Sequence, residues 1–388
     1  MGPRLPGGAA SPVDRPENPT TPRVGQGEST AGDLPRFRRR SDRRCPSAVI
    51  RVLSRAAVER VDVKLSFSCN NRCRFCVQGD KRERFKDRST GEARKLLREA
   101  RRRADAIVFT GGEPSVRPDF LELVAEARRL GYRLIQLQTN GQMLAYPAFA
   151  RGCREAGVTE VSPALHGHVP ALHDFLTGRS GSFGFTLRGI ENARAAGLPV
   201  VTNTVVTKPN RRHLSAIARL LVERGVSQVQ FAFVHPVGTA ALNFASIVPR
   251  MELMRDELFR AFDIAGAAGI RSMSEAVPLC ILRGREAYAA EWIIPDAAVF
   301  DAEGTIDDYR AFRVGEGKAK GPPCRRCLLD PVCEGPWREY PERFGWSEFH
   351  ARRDAAAREV LASARGISRR AAEPQQGRSS RKPTTNNQ

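Results

Sequence analysis

Between residues 60 and 235 the chain repeats one pattern. A short apolar run ends in small or polar residues, and an amphipathic stretch of helical period follows. Val61 to Phe67 alternates apolar and polar residues, as a half-buried strand does. Further strand-like runs occupy 106–110, 134–138, 161–167, 200–206 and 228–234. Helices are expected over 92–103, 145–156, 183–196 and 211–224. Another carries Phe120, Leu121, Leu123, Val124, Ala127 and Leu130 in an amphipathic pattern, with Gly131 to close it. Six strands alternating with helices argue for a parallel, barrel-like α/β sheet. Pro163 falls inside the fourth run and predicts a local irregularity there.

The first run leads directly into Cys69, Cys73 and Cys76, with Phe75 just before the last. Barrels of parallel strands build their active sites from loops at the C-terminal strand ends. Three thiolates at this spacing can wrap one face of a metal cluster, and the loop holds no fourth ligand. A structural zinc site closes its tetrahedron with four protein ligands, so three soft thiolates suit iron–sulfur chemistry better. A cube held by three cysteines leaves one iron open to a small molecule.

The second run ends at Gly111, Gly112, Glu113 and Pro114. Glycine pairs let a backbone approach a ligand closely. Backbone groups here and the Glu113 carboxylate can hold an ammonium group. The plain alternative is a strand-to-helix turn.

With one βα unit between them, the cysteine loop and the Gly-Gly-Glu-Pro sequence resemble the radical S-adenosylmethionine (radical SAM) superfamily. Thr139, Asn140 and Gly141 after the third strand look like a further motif of that family. The resemblance covers about half the chain. It implies a partial (β/α)6 TIM-like barrel. It also implies a [4Fe–4S] cluster on Cys69, Cys73 and Cys76 whose open iron binds the methionyl end of SAM. The family's chemistry is reductive SAM cleavage to a 5'-deoxyadenosyl radical, followed by hydrogen abstraction. By the same resemblance Gly111, Gly112 and Glu113 hold the methionyl amino end, Phe75 supports the adenine end, and Thr139 belongs to the site. Asn203 on strand five is an expected SAM contact. Family members often carry a serine where this chain has Ala164, so Ser162, two residues earlier on the same face, is the expected substitute. Among the histidines, His166 is expected first at the barrel mouth.

A second set of cysteines follows the barrel: Cys280, then Cys324, Cys327 and Cys333. Four thiolates complete either a zinc tetrahedron or a second iron–sulfur cluster. The spacing looks like part of the family's C-terminal SPASM or twitch extension, which implies one auxiliary [4Fe–4S] cluster on these four residues. Trp337, Tyr340, Phe344 and Trp346 are expected to pack the extension on the barrel, with a helix over 347–364 beyond them.

The resulting division is a disordered segment 1–45, a core barrel 46–250, an auxiliary-cluster extension 251–346, a helix 347–365 and a disordered basic tail 366–388. Residues 1–45 are too polar for a folded leader-binding domain, and Cys45 at their edge is a bystander. Nine cysteines, six in two tight clusters, point to metal ligation in a reducing, cytoplasmic setting. No apolar run approaches the roughly 20 residues that span a bilayer, so no membrane partner is expected.

Formal net charge is +20, with much of the excess in local arginine runs. It reads either as an acidic partner or as solvated basic faces, and no RNA-binding motif with interleaved aromatics favours the former. The expected partners are SAM, a peptide or small-molecule substrate, and an electron donor such as flavodoxin or ferredoxin. The alternative from another class is a non-catalytic zinc or iron–sulfur protein that binds nucleic acid through its basic surface.

Overall fold

The computed structural model describes residues 60–372, with side chains to 364. The expectations for 1–45, for Cys45 and for the last part of the tail lie outside the described residues.

The six expected strands are present as β1 (Arg60–Ser66), β2 (Ala106–Gly111), β3 (Leu134–Thr139), β4 (Glu160–Pro163), β5 (Val201–Val206) and β6 (Gln228–Phe233). β1 to β4 pair in parallel in sequence order, and β5 pairs in parallel with β6. Between β4 and β5 the ladder thins to two isolated bridges, Val161 to Val200 and Ala164 to Asn203. Pro163 has no N–H to donate at this point, and β4 stops there instead of running on to 167.

The parallel sheet extends past residue 250. β7 (Arg271–Glu275) adds to the far side of β6, and β8 (Ala297–Phe300) adds to the free edge of β1. A short antiparallel strand, β9 (Thr305–Ile306), closes on β8. Residues sequence reading gave to the extension therefore flank the six-stranded core on both sides.

Alternation sorts the side chains. In β1, Val61, Val63 and Leu65 are buried against the helical layer, while Arg60, Asp62 and Lys64 take the other face. Burying each such aliphatic side chain contributes about 1.5–3 kcal/mol. β5 and β6 repeat the pattern, and their less buried faces carry Asn203 and Gln230. One face of the sheet thus builds the hydrophobic core, and the other carries the polar side chains with Val108, Val201 and Val205 among them. The polar face is largely self-paired: Lys64 meets Asp301, Gln136 donates to Glu160, and Gln230 donates to Glu275.

The helices end where local chemistry tells them to. Ser89 and Glu92 form a capping box at the start of Thr90–Arg101. Pro147 opens Pro147–Ala156, and Gly157 follows it. The C-terminal helix runs Ala355–Ala372 and not from 347. Asp354 sets its start by accepting from the Ala357 amide, while Glu348, eight residues beyond Tyr340, is buried and accepts from the Tyr340 hydroxyl.

The aromatic patch anchors the extension. The Tyr340 ring packs against Phe233 at 5.5 Å, Phe344 packs against Phe244 at 5.1 Å, and Trp337 Nε1 donates to the Phe233 carbonyl at 3.4 Å. No helix among the described residues is long and apolar enough to cross a membrane.

Candidate functional site

The loop after β1 is held from several sides. The Asp87 carboxylate accepts from the Phe67 and Ser68 amides at 2.7 and 2.9 Å. Asn70 Oδ1 accepts from Asn140 Nδ2, and Asn71 Oδ1 accepts from Gln142 Nε2, each at 2.6 Å. The Arg72 and Arg74 amides donate to the Thr177 and Leu176 carbonyls. Thr239 N donates to the Cys76 carbonyl at 2.9 Å. Sequence reading missed Asn70, Asn71, Asp87 and Gln142. Their one signal was that two amides stand between the first two cysteines of a loop that has to keep its shape.

Cys69, Cys73 and Cys76 come together on this loop, all three free and half-buried. Burial pushes the Cys69 and Cys73 thiols up, and at Cys73 the neighbouring Cys76 and Cys69 add to it. Thiols in such a setting are poor anions by themselves and become good ones on a cationic centre, which is the chemistry an iron–sulfur cluster supplies. The donor set therefore fits a cluster with one iron free of protein ligands.

Phe75 is buried and meets the His166 ring edge-on at 4.7 Å. His166 does not line the mouth as expected. It is 4% exposed, its Nδ1 accepts from the Val205 amide, and its amide donates to His173 Nδ1. Both rings stay neutral, since burial pushes His166 well below the usual range and His173 down to about 4. They form the floor on which Phe75 and the cysteine loop rest.

The Gly-Gly-Glu segment is shaped by its neighbours. A Cβ on Gly111 would strike the Ser66 carbonyl, and one on Gly112 would strike the Ser68 and Phe67 carbonyls. The Gly112 and Glu113 amides donate to Ser66 O and Ser68 O at 2.7 and 2.8 Å. These amides are spent inside the protein, so an ammonium arriving here meets backbone carbonyls.

Glu113 is 1% exposed. Its Oε1 accepts from Ser115 N at 3.1 Å, from Ser115 Oγ and from Thr139 Oγ1, and its Oε2 accepts from Asn140 N at 2.6 Å. Burial still pushes its carboxyl upward against those bonds. The side chains of Glu113 and Thr139 thus act on each other. They join the ends of β2 and β3 and set the position of any ligand held by the backbone.

Ser162 and Asn203 are not neighbours. The bridge from Ala164 to Asn203 puts Ala164 beside the asparagine, with Ser162 two residues deeper. Asn203 Oδ1 is buried with no hydrogen-bond partner among the described residues. Such an acceptor suits a bound hydroxyl or amine.

The second cysteine set also converges. Cys280, Cys324, Cys327 and Cys333 are all free and border one solvent-open pocket, with Leu279 and His350. Burial pushes the Cys280 thiol up to about 12, with Cys333, Cys324 and Cys327 contributing. Among the described residues no group of three or more His, Cys, Asp or Glu is arranged to hold a single metal ion.

The basic runs on the barrel's outside are partly neutralised. Arg94, Arg98 and Arg103 face Glu122, Glu126 and Asp307.

Comparison with known proteins agrees with this geometry. Residues 63–221 match the Radical SAM superfamily. An AdoMet-dependent heme synthase of Oleidesulfovibrio alaskensis is 33% identical over 187 residues, which are 48% of either chain. The chain spans about half the length of the curated relatives it matches. In fold it is similar to Streptococcus suis SuiB bound to S-adenosylmethionine, with a TM-score of 0.56 at 14% identity over 80% of each chain. It is similar as well to native anSMEcpe with bound AdoMet and Cp18Cys peptide, with a TM-score of 0.52 at 15% identity over 81% of this chain and 99% of the other. Residues 63–221, which carry the cysteine loop at the end of β1 and the Gly-Gly-Glu turn locked to β3, thus match the Radical SAM superfamily.

Proposed function

We propose that this protein is a radical SAM enzyme that removes a hydrogen atom from a C–H bond of a peptide or small-molecule substrate. One arrangement carries the reading. Three convergent cysteines after β1 face a backbone turn after β2 that Glu113 locks to β3. With its cofactors bound, the site would supply one-electron cleavage of SAM to methionine and a 5'-deoxyadenosyl radical, which takes hydrogen from the substrate. Cys69, Cys73 and Cys76 would hold the [4Fe–4S] cluster. Carbonyls of Gly111 and Gly112 would accept from the methionyl ammonium, and Asn203 Oδ1 would accept from a ribose hydroxyl. Phe75, supported by His166, backs the adenine end. The electron would come from a small redox protein of the flavodoxin or ferredoxin class.

Cys280, Cys324, Cys327 and Cys333 would hold an auxiliary [4Fe–4S] cluster. Four thiolates on one zinc converge to about 2.3 Å from a single point. Here the four line one solvent-open pocket, and the spacing of Cys324, Cys327 and Cys333 resembles the family's C-terminal extension, which favours the cluster. A cluster ligated by four cysteines has no open iron, so its part would be structural or in electron transfer. A peptide substrate is favoured because the fold is shared with anSMEcpe, which has been solved with a peptide. Free cysteines throughout the described residues suit a reducing, cytoplasmic setting.

The test is iron and sulfide content after anaerobic reconstitution, followed by incubation with SAM and dithionite. About eight irons are expected for two four-iron clusters, together with 5'-deoxyadenosine. A variant with Cys69, Cys73 and Cys76 all changed to alanine keeps about half the iron and makes none. Zinc in place of iron, with SAM left intact, overturns the reading and makes RNA binding the next measurement.

A further inference from the structure

Three large apolar side chains are left exposed around the cysteine loop: Val77, Phe175 and Leu242, the last 85% exposed. Arg74 ties them together. Its guanidinium lies 4.3 Å from the centroid of the Phe175 ring, and its Nε donates to the Phe175 carbonyl at 3.0 Å. Its own carbonyl accepts from Asn243 Nδ2 at 3.0 Å, which brings the end of the short helix Thr239–Leu242 against the loop. Thr239 N donates to the Cys76 carbonyl, next to Val77. The patch is therefore the outer face of the loop. Phe75, between Arg74 and Cys76, turns the other way and is buried on His166.

Arginines rim the patch. Arg72 and Arg74 flank Cys73 and are exposed, and Arg179, also exposed, reaches the loop from the turn after Pro170–Thr177. Their side-chain hydrogen bonds go to carbonyls: Arg72 to Cys69 and Asn71, Arg74 to Phe175, and Arg179 to Asn70. Among the described residues none of the three forms an ion pair. Two carboxylates close to them in sequence are taken. Asp174 accepts from the Gly181 and Phe183 amides and the Ser182 hydroxyl, and Asp80 pairs with Arg84. A guanidinium carries five N–H donors, so most of them here stay open to another molecule. On the outside of the barrel, by contrast, Arg94, Arg98 and Arg103 each face a carboxylate.

An apolar centre with a basic rim fits a protein partner whose own contact surface has an acidic rim. The formal net charge of +20 draws such a partner from a distance. Nucleic acid fits less well. Val77 and Leu242 offer no flat ring on which a base can stack, and Phe175 is already covered by Arg74.

We propose that this face, Arg72, Arg74 and Arg179 around Val77, Phe175 and Leu242, docks an acidic one-electron donor protein. The assignment rests on the enzyme reading above and gives it the surface through which the electron enters. One electron leaves the donor's reduced flavin or iron–sulfur centre and passes to the cluster that Cys69, Cys73 and Cys76 would hold. The donor is oxidised by one electron, and no atom moves between the two proteins. The route is short, because Cys73 stands between the two arginines that the donor touches.

The test is calorimetric titration of the reconstituted full chain with a bacterial flavodoxin, a bacterial ferredoxin and a mixed-sequence RNA, each separately. Binding of at least one of the two proteins is expected, and it should weaken as salt rises. Leu242→Glu should weaken it about tenfold and Leu242→Lys should tighten it about threefold, since both new charges meet the same acidic surface. A purely structural role for the leucine does not give opposite signs. Arg74→Glu should weaken binding too. If its iron content falls because the loop has shifted, the two Leu242 variants carry the test. Val314→Glu, exposed in the segment after β9, is the control and should alter affinity by less than about twofold.

Formation of 5'-deoxyadenosine separates docking from chemistry. Leu242→Glu should slow the reaction driven by the donor protein and keep the one driven by dithionite, which needs no protein surface. Overturning results are binding of neither protein, or affinities that neither Leu242 variant changes. RNA binding that the Leu242 variants shift, with neither protein bound, also overturns the proposal and makes the face a nucleic-acid surface. If donor binding ignores the variants while dithionite still yields 5'-deoxyadenosine, only the docking surface falls. If dithionite yields none in the parent, the enzyme reading falls instead.

Discussion

The Thr139 hydroxyl donates to Glu113 Oε1 at 2.7 Å, and through this bond the ends of β2 and β3 share one carboxylate. The Asn140 amide takes the other oxygen at 2.6 Å. Asn140 in turn donates through its side chain to Asn70 in the cysteine loop. Three sequence-distant segments are thus set by one buried group. Burial makes the arrangement costly, and its hydrogen bonds offset that cost.

Glu113→Gln keeps the size and loses an acceptor. One of its ends becomes an NH2 facing an N–H or O–H donor. A buried unsatisfied group of this kind costs about 1–3 kcal/mol. The expected result in urea denaturation is a midpoint shift of that size with unchanged m-value. Weaker SAM binding by calorimetry should accompany it, because the Gly111–Gly112 turn loses its anchor.

Gly112→Ala tests the close approach from the other side. Its Cβ meets two backbone carbonyls of the loop after β1, neither of which can swing away. Overpacking against fixed atoms costs about 1–3 kcal/mol. The displaced atoms lie one or two residues before Cys69, so reconstituted iron content should fall along with stability. Gly91 is the control, since nothing lies within 4 Å of its added Cβ. There the exchange should leave iron content unchanged and, inside the helix Thr90–Arg101, raise stability by up to about 1 kcal/mol.

The strands and the cysteine loop were legible because each rests on a local pattern. Alternation in 61–67 and apolar runs at 106–110 and 134–138 need no knowledge of what they touch, and the strands lie within a residue of them. What a residue does for another segment was not legible. Glu113 read as a ligand for an ammonium group; that its carboxylate also takes Ser115, Thr139 and Asn140, partners up to 27 residues away, was not legible. His166 read as a mouth residue because a fourth strand running to 167 puts it on the same face as Ser162. It is buried, since β4 ends early at Pro163 and the chain then turns beneath Phe75. β7 and β8 were missed for a related reason. Arg271 to Glu275 has little apolar character, and Ala297 to Phe300 is too short to stand out until β1 is seen to need a partner.

The buried histidine pair predicts a pH dependence. His173 is 1% exposed, and burial holds it near 4, below the usual 6.5. Its folded-state value is depressed, so the unfolded chain binds the proton first as pH falls. Stability is full above about 6.5 and is lost between there and 4. A shift of this size corresponds to about 3 kcal/mol. His173→Asn removes the titration and leaves an oxygen near the Nδ1 position to accept from the His166 amide. Urea midpoints at pH 7 and pH 4.5 should differ clearly less in the variant than in the parent. An equal loss in both would assign the acid sensitivity elsewhere.

The cysteine quartet predicts a separation of metal from turnover. Cys324 and Cys327 lie on a short turn held by the Cys327 to Cys324 backbone bond, and Cys327 Sγ accepts from the Arg352 amide at 3.3 Å. Arg352 is itself buried between Glu286 and Asp354. Removing both sulfurs therefore takes away half of the proposed ligand set without touching β1 to β6. Cys324→Ala with Cys327→Ala should lower iron from about eight to about four per chain. Reductive SAM cleavage at the cluster held by Cys69, Cys73 and Cys76 should persist. The melting temperature should fall, because the cavity between Cys280 and Cys333 loses the body that joins its walls. If iron is unchanged and zinc is lost instead, the quartet is a zinc site, and the electron-transfer part of its assignment falls with it.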